Sequence, residues 1–235
     1  MLDIYGIYWY NNAMFIFTTI IIYLFVFAIG AVAGSFLLVS LSRHLYLRDI
    51  YHSCRTPIVS HYVIVGIASG LSAVLSWTMF MLPVGFLFFS VLLCLILIAW
   101  IDIKTMEIPD SLNIAIAVCG VIAIFIGPDI DLKSHLIGLA IAAVPLFLIA
   151  LFVDGAFGFG DVKLMAAAGL FLGWQSTLVA LFTGIIIGGV VGAVLLLTKR
   201  KSRTDHFAFG PSLCIGIGIA MFAGTKLYNI FLGSS

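Results

Sequence analysis

The sequence is short of charge. Only 9% of its 235 residues are Asp, Glu, Lys or Arg, against roughly 25% in a soluble domain, so an ordinary surface solvated on every side is excluded. It also lacks cysteine pairs. The four cysteines, Cys54, Cys94, Cys119 and Cys214, have no CxxC spacing, which excludes a zinc ribbon or a disulfide-stapled scaffold. Three of them lie in apolar runs and read as small buried hydrophobes. The five histidines show no ligand spacing, and no metal is expected. There is no glycine-rich dinucleotide-binding fingerprint. The first residues lack the basic stretch that opens a cleavable signal peptide. The net charge of +1 says nothing about partners, and no nucleic-acid partner is expected.

What remains is long apolar text. The chain is 63% hydrophobic, with a mean hydropathy of +1.27. Its apolar runs approach or exceed the roughly 20 residues a helix needs to cross a bilayer. Backbone groups in lipid must be satisfied internally, which leaves helices or a closed barrel. Continuous rather than alternating hydrophobicity selects helices. The expectation is an all-α polytopic membrane bundle of about eight transmembrane helices, forming a single domain over residues 1–235. The spans are placed at about 14–41, 58–75, 79–99, 112–126, 136–153, 162–172, 176–197 and 212–232. Residues 1–13 are polar and aromatic, which suits the membrane interface. The run Gly30-Ala31-Val32-Ala33-Gly34-Ser35 is a small-residue face suited to close helix packing.

Basic residues favour the cytoplasmic side. With the N-terminus outside, the inner segments hold Arg43, Arg48, Arg55, Lys104, Lys163, Lys199, Arg200, Lys201 and Arg203, and the outer ones only Lys133 and Lys226. This bias sets the expected topology.

Against that background two acids stand out. Asp161 lies in Gly158-Phe159-Gly160-Asp161-Val162-Lys163, and Asp102 lies in Trp100-Ile101-Asp102-Ile103-Lys104. Ionisable groups near a bilayer are costly and are functional candidates by default. Two spans separate them, so both fall on one face, expected to be cytoplasmic. An aspartate pair can hydrolyse a peptide bond without a covalent intermediate. One carboxylate takes a proton from water, while the other, protonated, polarises the carbonyl; two such acids close together cannot both ionise cheaply. Gly158 and Gly160 read as positions of positive φ and close backbone approach, which would admit an extended substrate beside Asp161. Asp161 is expected to end the glycine-rich loop and stand at the head of the next helix, where the helix dipole favours an anion. Asp110 and Glu107 read as loop surface or a helix cap, and Lys163 as an interface anchor.

These residues carry a resemblance. The run Gly158 to Leu164 resembles the GxGD motif of the type IV prepilin leader peptidases. Gly34-Ser35-Phe36-Leu37 with Arg43 resembles the family's first-helix motif, and Asp102 with Ile108-Pro109-Asp110 resembles its second acidic segment. Gly169-Leu170-Phe171-Leu172-Gly173-Trp174 resembles the text after GxGD, and Phe209-Gly210-Pro211 the FGP motif before the last helix. The resemblance implies a polytopic aspartic endopeptidase of the bacterial inner membrane, cutting the basic leader of type IV prepilins or pseudopilins at the cytoplasmic face. It implies Asp102 and Asp161 as the catalytic pair, with Gly158, Gly160, Lys163, Gly210 and Pro211 as motif support. The partners it implies are the precursor and the lipid bilayer. No cofactor is expected for the peptidase, and S-adenosylmethionine only if the new N-terminus is also methylated.

Two departures bear on that second activity. The loop after the first span is short and only Cys54-Arg55 echoes the paired cysteines of bifunctional members. Gly66 also stands where they usually carry glutamate. The expectation is therefore an unmethylated mature N-terminus. Two other classes stay open: a proton-coupled transporter or channel with the acids as relay groups, and a non-catalytic pilus or secretion assembly factor. Both acids lying at one face, with no inverted repeat, weigh against the first. The presence of both acids weighs against the second.

Overall fold

Apolar runs of this length satisfy their own backbone hydrogen bonds as helices, and the described residues hold eight of them and no strand. The computed structural model describes residues 2–44, 58–79, 84–126, 132–152, 158–198 and 208–231. The helices are α1 (Leu2–His44), α2 (Ile58–Met79), α3 (Val84–Thr105), α4 (Asp110–Ile126), α5 (Leu132–Phe152), α6 (Phe159–Leu172), α7 (Trp174–Leu197) and α8 (Gly210–Phe231). Five helices are long and apolar enough to cross a membrane: α1 over Ile16–Ser40, then α3, α5, α7 and α8. The chain is a multi-pass membrane protein. Large apolar side chains such as Phe25, Phe125 and Phe152 point outward, where lipid replaces water.

Several boundaries move. Residues 2–13 belong to α1, which therefore starts ahead of the expected span. The turn expected at Gly173-Trp174-Gln175 shrinks to Gly173 alone, at φ 76°, where α6 ends and α7 begins. A side chain is strained at that φ, and a Cβ there would also lie 2.8 Å from Ser134 Oγ. Pro145 sits inside α5, removing one helical hydrogen bond. The residues Arg48, Cys54, Arg55, Asp129, Asp131, Asp154, Lys199, Arg200, Lys201 and Arg203 lie outside the described residues.

The chain divides into two compact units, Met1–Met81 and Leu82–Ser235. In the first, α1 packs on α2 through small residues: a Cβ at Gly30 would lie 2.6 Å from Ala73 Cβ. The Ser35 hydroxyl donates to the Tyr62 carbonyl at 3.2 Å. In the second unit, α6 packs against α4, α5, α7 and α8. Its 14 residues span about 21 Å at 1.5 Å each, less than the roughly 30 Å hydrocarbon core. It buries Leu164, Met165, Ala168 and Phe171. It meets α5 so closely that a Cβ on Gly169 would collide with the Gly138 carbonyl. This short central helix positions Asp161.

Candidate active site

Asp102 ends the long apolar helix α3, and two local features turn the chain after it. Pro109 cannot continue the helix, so α4 starts at Asp110. Met106 adopts φ 55°, and its N–H donates to the Asp102 carbonyl at 2.9 Å, a left-handed helix stop. A side chain in that conformation costs roughly 1–2 kcal/mol. The turn brings Ile108 back over the end of the bundle. Asp102 itself is 5% exposed. The Gly210 N–H, at the start of α8, donates to Asp102 Oδ2 at 2.9 Å. The carboxylate thus faces the positive end of that helix.

Asp161 lies in the first turn of α6 and is 7% exposed. Gly158 caps that helix, and its N–H donates to Asp161 Oδ2 at 3.2 Å. This is the reaching-back half of a capping box. Gly160 and Asp161 are therefore helical, not loop. Gly158 has φ −76° and ψ 146°, extended backbone open to any residue, and Gly173 is the one positive-φ glycine among the described residues. The expected conformational role of Gly158 and Gly160 is thus corrected; close approach is what Gly160 provides. A Cβ there would lie 3.0 Å from Ile108 Cβ. The face of Gly160 is thus filled by Ile108.

Ile108 also ties the two acids together. A Cβ on Gly210 would lie 2.6 Å from Asp102 Oδ2 and 3.3 Å from Ile108 Cδ1. The side chain that packs on Gly160, beside Asp161, thus packs on Gly210, beside Asp102. The two carboxylates are within electrostatic reach of each other, and the buried Cys214 thiol is within reach of both. Two buried acids in each other's field, each hydrogen-bonded by one neutral glycine amide, do not ionise together cheaply, so one can carry a proton while the other is free to accept one. That arrangement suits general acid–base hydrolysis.

The other predicted residues are placed differently. Lys163 pairs with Asp110, its Nζ 2.8 Å and 2.9 Å from the two carboxylate oxygens, and joins α6 to α4. Glu107 is exposed; its N–H donates to Thr105 Oγ1 at 3.1 Å. Pro211 is the second residue of α8, where its missing N–H costs nothing. Two roles are not legible in the sequence: Ile108, part of the motif with Pro109 and Asp110, packs on both Gly160 and the Gly210 position, and Asn113 is a buried carboxamide on α4. The only signal for Asn113 is a lone amide in an apolar span.

No group of metal-binding side chains occurs among the described residues. The groove between α4 and α6 does not fit S-adenosylmethionine, the donor an N-methyltransferase would use. The groove on α4 and α6 has one carboxylate, Asp110, already engaged by Lys163, and otherwise mostly alanine, isoleucine and leucine walls.

The type IV leader peptidase family matches residues 87–193, which include both aspartates. A prepilin leader peptidase/N-methyltransferase of Legionella pneumophila is 33% identical over 202 residues, covering 80% of this chain and 68% of its own. A protein of the same name from Burkholderia pseudomallei (strain 1026b) is 32% identical over 199 residues, covering 81% and 63%. One from Aeromonas hydrophila is 29% identical over 199 residues, covering 80% and 67%. The chain belongs to the type IV leader peptidase family. It spans about two thirds of the length of these relatives, 63–68%. No solved structure matches it.

Proposed function

We propose that this chain is a membrane aspartic endopeptidase that removes the leader of type IV prepilins or pseudopilins. The observation that carries the reading is the pair of buried carboxylates, Asp102 and Asp161, at one end of the second unit. Each accepts a hydrogen bond from a glycine amide at a helix start. In the reaction one aspartate, ionised, draws a proton from water. The other, protonated, donates a hydrogen bond to the scissile carbonyl, and water adds to the carbonyl carbon. Collapse of the tetrahedral species then passes a proton to the leaving amine. Peptide hydrolysis by this route requires no cofactor.

On the basic bias we take both acids to face the cytoplasm at the inner membrane, with the N-terminus outside, and the chain to work as one membrane domain. The precursor presents its leader at that face while its apolar helix stays in the bilayer. Asp110 is held by Lys163, which leaves exposed Glu107, unengaged among the described residues, as an anion for a basic leader.

The relatives' names join peptidase to N-methyltransferase. For this chain the short segment between α1 and α2 argues for cleavage without methylation, and S-adenosylmethionine is needed only for the latter. The test is purified full-length protein with a prepilin in detergent, followed by mass spectrometry. Cleavage at the leader junction is expected. A precursor left intact, with the protein folded, would overturn the reading.

A further inference from the structure

The seam between α4 and α6 carries a groove that the aspartate chemistry does not use. Its volume is about 400 Å³. Asp110 and Lys163 form its mouth, Asn113 lies just inside, and Ala117, Ala167 and Leu139 of α5 are among its walls. The two helices run the same way along this seam. Ile108 packs on Gly160 at the top, Asp110 pairs with Lys163 next, and Gly120 meets the backbone at Leu170 and Phe171 lower down. Ile108 also touches the Gly210 position beside Asp102. The groove therefore opens one step along the seam from the two acids.

Asn113 is the unexplained residue. It is 5% exposed, and among the described residues neither its Nδ2 nor its Oδ1 has a hydrogen-bond partner. A buried amide left unmatched is costly and calls for a reason. It lines the groove, and its covered amide atoms come within reach of a bound group once the carboxamide turns outward. That group must accept from Nδ2 and donate to Oδ1. An acyl chain does neither, and an ester carbonyl of a lipid only accepts. Water does both, and so does a peptide backbone, which also has the apolar side chains these walls suit. The first turn of any helix also has N–H groups with no partner in the helix, and in a bilayer these need an acceptor. Small residues along the walls let a helix approach closely, and a polar side chain then serves as the contact.

From this we infer that the groove receives the start of the substrate's apolar helix, just beyond the scissile bond, with Asn113 pairing its unsatisfied backbone. The inference rests on the peptidase reading above. It assigns the α4–α6 seam as the side from which the precursor is held, and Asp110 and Lys163 as the lip over which it passes to the acids. Ile108 lies between the lip and the acids, so the entering chain displaces its side chain.

The test compares two substrates of the purified full-length protein. One is the membrane-embedded precursor; the other is a soluble peptide with the same leader and cut site but no apolar helix. Asn113→Leu should lower the ratio of kcat/KM for precursor over peptide about tenfold, chiefly through KM for the precursor. The same variant should unfold at the same temperature or higher, because it removes an unmatched buried amide. A benzophenone amino acid at position 139 of the Asp161→Asn protein should crosslink to the precursor's apolar helix. An unchanged ratio, a lowered unfolding temperature, or crosslinks to lipid alone would each overturn the inference while leaving cleavage by the unmodified protein intact. Failure of the unmodified protein to cut the precursor overturns the peptidase reading, and this inference with it.

Discussion

Three aspartates lie near one end of the second unit, and their surroundings divide them sharply. Asp110 is 62% exposed and is gripped by both oxygens on Lys163. Asp102 and Asp161 are 5% and 7% exposed, and the hydrogen bonds they receive come from neutral glycine amides. A cation beside a carboxylate neutralises it and holds it in place, which suits a clasp between helices. A single neutral donor fixes the geometry of a carboxylate but leaves it able to take or give a proton. The same residue type is thus a strut in one setting and, on the function proposed above, an acid–base group in another, and burial with the choice of donor makes the difference.

That contrast breaks first at the buried pair. Asp102→Asn and Asp161→Asn should each reduce precursor cleavage by at least the 10²–10⁴-fold, in order of magnitude, ascribed to a positioned acid or base. Both proteins should still insert and unfold like the unmodified protein. Rates from purified protein in detergent are the measurement, and substantial cleavage by either variant would remove the pair from the mechanism.

The glycines that set the pair come next. A Cβ at position 210 would crowd Asp102 Oδ2, and a misplacement of about 1 Å can cost on the order of 10²-fold in rate. Gly210→Ala should therefore be slowed about that much. Gly160→Ala, which crowds Ile108 rather than a carboxylate, should be slowed less, and Ile108→Ala should restore part of the loss. If the double variant merely sums the two single losses, Ile108 and Gly160 are not coupled as described.

The exposed clasp should matter least for catalysis. An exposed ion pair is worth about 0–1 kcal/mol, so Asp110→Asn and Lys163→Met should lower the unfolding temperature slightly and activity less than about tenfold. A loss matching that of Asp102→Asn would erase the distinction between strut and acid. The smallest effect concerns the product: the mature pilin should keep an unmodified N-terminal amine. A stoichiometric gain of one methylene by mass spectrometry would refute that and leave the peptidase untouched.

Much of this was legible in the chain. Charge is so scarce that Asp102 and Asp161 announce themselves, and Pro109 marks the break between α3 and α4 in text alone. The glycines beside Asp161 were noticed for a freedom of φ that Gly158 does not use. What Gly160 supplies is room for Ile108, and no local pattern names the side chain that will arrive there. Asn113 was passed over because a lone amide in an apolar run looks the same whether its partners are present or missing.

Hydrophobicity and charge are carried residue by residue, so the sequence by itself determined that this is a helical membrane protein with two costly acids. Long-range pairing depends on how the helices are laid together. Only the tertiary structure decided that the Gly210 amide, 108 residues along the chain, holds Asp102, and that Lys163 finds Asp110 across 53 residues. The same packing left the Asn113 amide buried and open to a partner, because an amide's cost is set by what surrounds it.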